Sequence, residues 1–128
     1  MELTLQERTQ LAQLVTDILS RWHIRESDQI VLLGLPDETK PRYLTQLRQG
    51  SKPIPDDERV IDRAKHILGI QESLDVLFPM NPNMPRFWIR NKNKLFRRKV
   101  PLEMMLNDGL NGMDKIWSML DCTRNWES

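Results

Sequence analysis

The chain has 128 residues, 29% of them charged and 39% hydrophobic, with a formal net charge of +1. That length allows one core or two small subdomains, and that balance suits a folded, highly charged protein over a disordered one. The near-zero net charge predicts neither nucleic-acid nor membrane binding in bulk, and a single cysteine, Cys122, excludes a disulfide framework and a cysteine-based zinc site.

The opening residues MELTLQER are charged and helical in character, unlike a secretory leader, and no apolar run approaches membrane-spanning length. A reduced, cytoplasmic setting is expected. Thr4-Leu5-Gln6-Glu7 has the form of a capping box, with a Thr oxygen for an early free N–H and a Glu to reciprocate. Leu11, Leu14, Val15, Ile18, Leu19 and Trp22 then recur at helical spacing and predict an amphipathic first helix. Ser27 is the expected cap of a short second helix through Ile30 to Leu33, which Gly34 ends. Pro36-Asp37-Glu38 reads as a turn and the start of a third helix, whose apolar stripe is Tyr43, Leu44 and Leu47 and whose end is Gly50.

Two prolines in the segment SKPIP, Ser51 to Pro55, disfavour helix and mark a linker between residues 1–52 and 56–128. Asp56, Asp57 and Glu58 place negative charge at the start of the next helix, which is the helix-dipole reading rather than a pair of catalytic carboxylates. That helix carries Val60, Ile61, Ala64, Ile67 and Leu68 and is expected to stop at Gly69, with a short helix through Leu74 to Phe78 after it. Pro79 to Pro85 is expected to be loop. Pro101 opens a helix through Leu102, Met105 and Leu106; Gly109 breaks it, and a last helix carries Met113, Ile116, Trp117 and Leu120. No period-two alternation is present. The expected fold is an all-α, small multi-helix bundle.

Ser27 to Gly50 follows the plan of a helix-turn-helix. On its second helix Leu44 and Leu47 face inward, leaving Lys40, Arg42, Thr45, Gln46, Arg48 and Gln49 outward. Arg and Gln make bidentate contacts to guanine and adenine, and Lys and Arg meet phosphates. The same polar face also suits the solvated side of any bundle, and Asp37 and Glu38 would repel phosphate unless they serve as caps.

The steepest charge asymmetry lies between Arg86 and Lys99, where seven bases occur with no acid. Arg90, Lys92, Lys94, Arg97 and Arg98 are candidates for phosphate or partner contact, or form a solvated rim. Phe87, Trp88, Leu95 and Phe96, threaded among them, read as core and loop anchors more than as base-stacking platforms. His66 reads as a structural, partly buried histidine. His23 sits at a helix end where a protonated ring would favour the dipole. With these two histidines and Cys122 far apart in sequence, neither a catalytic dyad nor a metal site emerges, and no cofactor is expected.

The run RVIDRAKHILGIQESLDVLF, Arg59 to Phe78, resembles the opening helices of the toxin-binding domain of the Xre/MbcA/ParS antitoxin family. That family continues with a Trp-containing helix, an Asn-bearing loop with a hydrophobic residue, a Pro-Leu-x-x-Leu helix start, a Gly-Leu step and a closing helix. This chain supplies Trp88, Asn93, Phe96, Pro101-Leu102-x-x-Met105-Leu106, Gly109-Leu110 and the helix around Ile116, Trp117 and Leu120. Residues 1–52 are similar to the family's Xre-type helix-turn-helix.

The resemblance implies a non-enzymatic antitoxin of a type II toxin–antitoxin pair. It would bind a RES-domain, NAD-consuming toxin directly, repress its own promoter and form a homodimer. It implies toxin contacts on the C-terminal segment at Trp117, Met119, Leu120, Arg124 and Trp126. A stand-alone helix-turn-helix regulator or adaptor of the same ancestry, without a toxin, is the alternative. Two positions depart from the family pattern. Arg97-Arg98 stand where a loop glycine is usual, and since left-handed backbone strains an Arg, the turn is expected to differ here. Val100 stands where a Ser or Thr would cap the Pro101 helix.

Overall fold

The computed structural model describes residues 2–127, with side chains described as far as Thr123. Among the described residues it is all-helical: α1 (Leu5–Arg21), α2 (Glu26–Leu33), α3 (Pro41–Gln49), α4 (Glu58–Leu77), α5 (Met84–Arg90), α6 (Pro101–Asp108) and α7 (Leu110–Glu127). A single 3-10 turn, Lys94–Phe96, lies between α5 and α6. The chain divides into two compact units, Met1–Lys65 and His66–Ser128, so the division falls inside α4.

In the first unit the capping box is formed as the sequence predicts. The Glu7 N–H donates to the Thr4 hydroxyl at 3.1 Å, and the Thr4 N–H donates to the Glu7 carboxylate at 2.9 Å. Leu11, Val15, Ile18, Leu19 and Trp22 are buried, whereas Leu14 of the expected stripe is exposed. Packing of α1 against α3 brings the fully buried Leu44 and Leu47 into the same core. The end of α1 is a Schellman motif, with Ile24 N–H bonded to Leu19 C=O and His23 N–H to Ser20 C=O. Its left-handed position, usually glycine, is held by His23 at φ 58°.

The second helix begins at Glu26, with Arg25 at the cap position and no side-chain cap bond, so Ser27 lies in the first turn and does not cap. Gly34 ends this helix at φ 73°, as expected. Arg63 of α4 completes that end: its guanidinium donates to the carbonyls of Val31 and Leu32 at 3.3 and 3.5 Å, a favourable charge at a helix C-terminus. The third helix starts at Pro41, later than the Pro36-Asp37-Glu38 turn suggests.

The proline segment is stitched to α1. Ile54 is fully buried, its N–H donates to the Arg8 carbonyl at 3.2 Å, and its carbonyl accepts from the Arg8 guanidinium at 3.0 Å. The Tyr43 hydroxyl donates to the Pro53 carbonyl at 3.5 Å, and burial raises the Tyr43 phenol above its ordinary pKa. Asp57 opens α4 as the acid run predicts, its carboxylate accepting from the Arg59 N–H at 2.9 Å.

The second unit turns on two glycines inside helices. Contrary to the expected stop, α4 runs through Gly69 as one helix to Leu77. A Cβ on Gly69 would fall inside the indole of Trp117 on α7, so glycine here admits a ring against the helix backbone. On α7, a Cβ on Gly112 would collide with the Met104 carbonyl of α6, and α6 packs closely on α7 accordingly. Ile67, Ile70, Leu74, Ile89, Met105, Met113 and Ile116 are fully buried around these contacts. The expected loop from Pro79 ends early, since α5 begins at Met84 with Pro85 in its first turn. Pro101 and Gly109 bound α6 as predicted, and Val100 provides no side-chain cap.

Candidate binding surfaces

Two surfaces carry the residues singled out from the sequence, one in each unit. The first is the outer face of α3. Lys40, Arg42, Thr45, Arg48 and Gln49 are exposed and Gln46 is half-buried, opposite the buried Leu44 and Leu47. Arg42, Thr45, Gln46, Arg48 and Gln49 thus lie on the side of a short, regular helix away from the core, and Lys40 stands at its cap position. Residues 34–40 separate α2 from α3, a longer connection than the tight turn of most DNA-reading helix-turn-helix units. Asp37 and Glu38 in that connection are exposed, and the cap position of α3 is Lys40, so neither acid caps the helix.

The second surface is the basic segment of the other unit. Trp88 and Phe96 are buried and meet edge to face, with ring centroids 5.9 Å apart and planes at 85°. This is core packing, and it removes both rings as platforms for base stacking. Phe87 and Leu95, also expected to be anchors, are instead exposed at 58% and 49%. Arg90, Lys92, Lys94, Arg97, Arg98 and Lys99 are exposed. Among the described residues, Lys92, Lys94, Arg97, Arg98 and Lys99 form no ion pair.

Asn93 organises this loop. Its side-chain oxygen accepts from the Leu95 N–H at 2.9 Å, and its carbonyl accepts from Phe96 and Arg98 at 3.1 and 2.9 Å. Its N–H donates to the Lys99 carbonyl at 3.1 Å. The Lys99 N–H reaches back to the Phe96 carbonyl at 3.1 Å across Arg97 and Arg98, whose φ angles are 55° and 66°. Positive φ at both central positions is the signature of a type I′ turn, which favours Asn and Gly. The expectation that the turn would differ is therefore corrected. Both arginines adopt the left-handed conformation, at about 1–2 kcal/mol each for a residue with a Cβ, and the surrounding backbone bonds hold them there.

The C-terminal candidates divide. Trp117 is half-buried, seated on Gly69 and edge-on to the His66 ring at a centroid distance of 5.0 Å. Leu120 is buried at 1% exposure and belongs to the core, so it is not a contact surface as folded here. Met119 is exposed. The side chains of Arg124 and Trp126 lie outside the described residues. His66, half-buried as the sequence suggests, faces Asp114 at 3.5 Å. Between the 3-10 turn and the outer face of α7 runs a groove of about 430 Å³ lined by Phe96, Asp114, Lys115, Ser118, Met119 and Cys122. No sequence pattern points to it, because its two walls are joined only by tertiary packing.

No protein-family profile matches the chain. It is 29% identical over 107 residues to "Uncharacterized protein y4oB" of Sinorhizobium fredii (strain NBRC 101917 / NGR234), a span covering 84% of this chain and 78% of that protein. Among the described residues no helix is long and apolar enough to cross a membrane.

Proposed function

We propose that the chain is the antitoxin of a toxin–antitoxin pair. In this reading the second unit neutralises a RES-type, NAD-consuming toxin by direct binding, and the outer face of α3 holds the protein, as a homodimer, on its own promoter. The observation that supports it best is the Trp88–Phe96 contact above an Asn93-organised loop, followed directly by a proline-started α6 and a closing α7. Those are the later pieces on which the family resemblance rests, and they fall within one compact unit, whereas the run Arg59 to Phe78 begins in the other. The protein acts by occlusion and carries out no chemistry of its own.

Co-expression with the product of the adjacent reading frame tests the toxin half. A stable complex is expected, and failure to copurify would leave the stand-alone regulator reading in its place. The DNA half predicts salt-dependent binding to the protein's own promoter, weakened by Arg42→Ala and Gln46→Ala. A footprint unchanged by both substitutions would return the α3 face to solvent.

A further inference from the structure

The groove beside α7 has features that neither a solvated rim nor a phosphate strip needs. One wall is Phe96, held by its edge-to-face contact with Trp88 and by the backbone bonds of the Asn93 loop. The other is an outward stripe of α7, where Lys115, Met119 and Cys122 recur at helical spacing beside Asp114 and Ser118. Its volume of about 430 Å³ lies in the range that accepts a few large side chains or a drug-sized group. An aromatic edge, a thioether, a thiol and lysine methylenes make it mostly apolar, and Met lets such a wall adapt to its occupant. Met119 is 36% exposed and Leu95, next to Phe96 in the chain, is 49% exposed.

The wall that carries Phe96 belongs to a basic loop, while the α7 wall holds one acid and one base, Asp114 and Lys115. Phe96 is flanked by Lys92, Lys94, Arg97, Arg98 and Lys99, and no acid occurs between Arg86 and Lys99. The loop that presents these bases is fixed by backbone bonds, so a binding partner has only their side chains to order. An apolar floor beside a basic loop calls for an apolar anchor flanked by carboxylates. Nucleic acid fits less well, since Trp88 and Phe96 are packed against each other and away from base stacking; Asp114, on the α7 wall, is the one acid of the lining and disfavours either anion next to it.

The geometry points to a docking site for an acidic amphipathic segment of a partner protein. An apolar side chain of that segment seats between Phe96 and Met119 over Cys122, and its carboxylates face Lys94, Arg97, Arg98 and Lys99. This deepens the reading of the second unit as protein-binding and rests on it, by naming the chemistry of the element that the toxin presents. Of the contacts expected on α7 it keeps Met119 and drops Leu120, which lies on the buried face.

The test uses the full chain and a synthetic helical peptide with Leu and Trp at i, i+4 spacing and Glu at the flanking positions. A counterpart with Lys in place of Glu and a short duplex DNA serve as comparators. Cys122, the single cysteine, reports occupancy through its alkylation rate. The acidic peptide is expected to bind saturably and to slow alkylation of Cys122, and the Lys peptide to do neither. Met119→Glu and Lys94→Glu are each expected to weaken binding about tenfold. Because protection of Cys122 is read on the unaltered chain, it stands even where a variant folds poorly.

Absence of saturable binding, or affinity indifferent to both substitutions, overturns the proposal. So does DNA that protects Cys122 as well as the acidic peptide does. Copurification of the adjacent gene product separates the two readings. A complex that forms and ignores both substitutions removes the groove and leaves the antitoxin standing. Peptide binding without such a complex removes the toxin and leaves the groove.

Discussion

Gly109 ends α6 in the second unit much as glycines end helices in the first, but the second unit also uses glycine inside helices. In the first, Gly34 and Gly50 lie at the ends of α2 and α3 with φ 73° and 78°, releasing the chain into turns. In the second, Gly69 and Gly112 lie inside α4 and α7, where a missing side chain lets an indole or a neighbouring carbonyl approach the helix backbone. The first unit is thus completed by adding side-chain volume between separate elements, Ile54 of the proline segment included. The second depends on the absence of volume at two points. A side chain shortened at Ile54 and a methyl group added at Gly69 should therefore both cost stability, for opposite reasons.

Ile54→Ala removes a fully buried side chain that fastens the proline segment to α1. A loss of about 2–5 kcal/mol is expected, from lost burial together with the cavity left behind. Gly69→Ala adds one methyl group and, on helix propensity alone, would stabilise an exposed helix by about 1 kcal/mol. Here the methyl meets Trp117, and a net loss of about 1–3 kcal/mol is expected from overpacking. Urea unfolding of each variant, with circular dichroism as the signal, gives both values. A neutral Ile54→Ala would make the proline segment a linker after all, and a stabilising Gly69→Ala would restore Gly69 to a simple weak point in α4.

This contrast explains what could be read from the sequence. The capping box at Thr4 and Glu7, the ends at Gly34, Gly50 and Gly109, and the start at Pro101 are local features, decided within one or two turns. All of them follow from residue type and spacing. Gly69 has the local character of a stop, whereas the reason for it lies on Trp117, in another helix. The cap that Arg63 gives to α2 and the burial of Ile54 are likewise decisions of packing between distant segments. Of the candidate surfaces, the α3 face was legible because a helix's outward positions follow from its inward ones. The groove beside α7 was not, since Phe96 and Met119 have no sequence relation to each other.

The left-handed positions sharpen the same contrast at smaller energies. The first unit places glycine at two of its three left-handed positions and His23 at the other, whereas the loop of the second places Arg97 and Arg98 there. Strain held at such residues marks a position where side-chain chemistry is retained against backbone preference. Arg98→Gly is expected to raise stability by about 0.5–1 kcal/mol while weakening binding of the acidic peptide. A thermal melt and a peptide titration on the same sample read both. An Arg98→Gly variant less stable than the parent chain would show that the arginine side chain contributes more in the fold than its backbone strain removes.

The smallest expected effect lies at the opposite end of the chain, in the capping box of α1. The Thr4 N–H, and then the Thr4 hydroxyl, bond the Glu7 carboxylate and hold its pKa below the ordinary 4.5. Because the folded-state pKa is depressed, the carboxylate stabilises the fold at pH values above the unfolded-state pKa. That contribution is lost as pH falls from the ordinary value through the lowered one. Glu7 is exposed, so solvent and salt screen the effect. Glu7→Gln keeps a side-chain acceptor for the Thr4 N–H but removes the charge from the positive end of α1. Its urea midpoint should therefore lie slightly below that of the parent chain at neutral pH, and the two should converge as pH falls through the acidic range. Because the second unit has no part in this bond, reporters within it should follow the shift only to the extent that the two units unfold together. A midpoint difference that persists unchanged at acidic pH would mean that the carboxylate charge is not what the capping box uses.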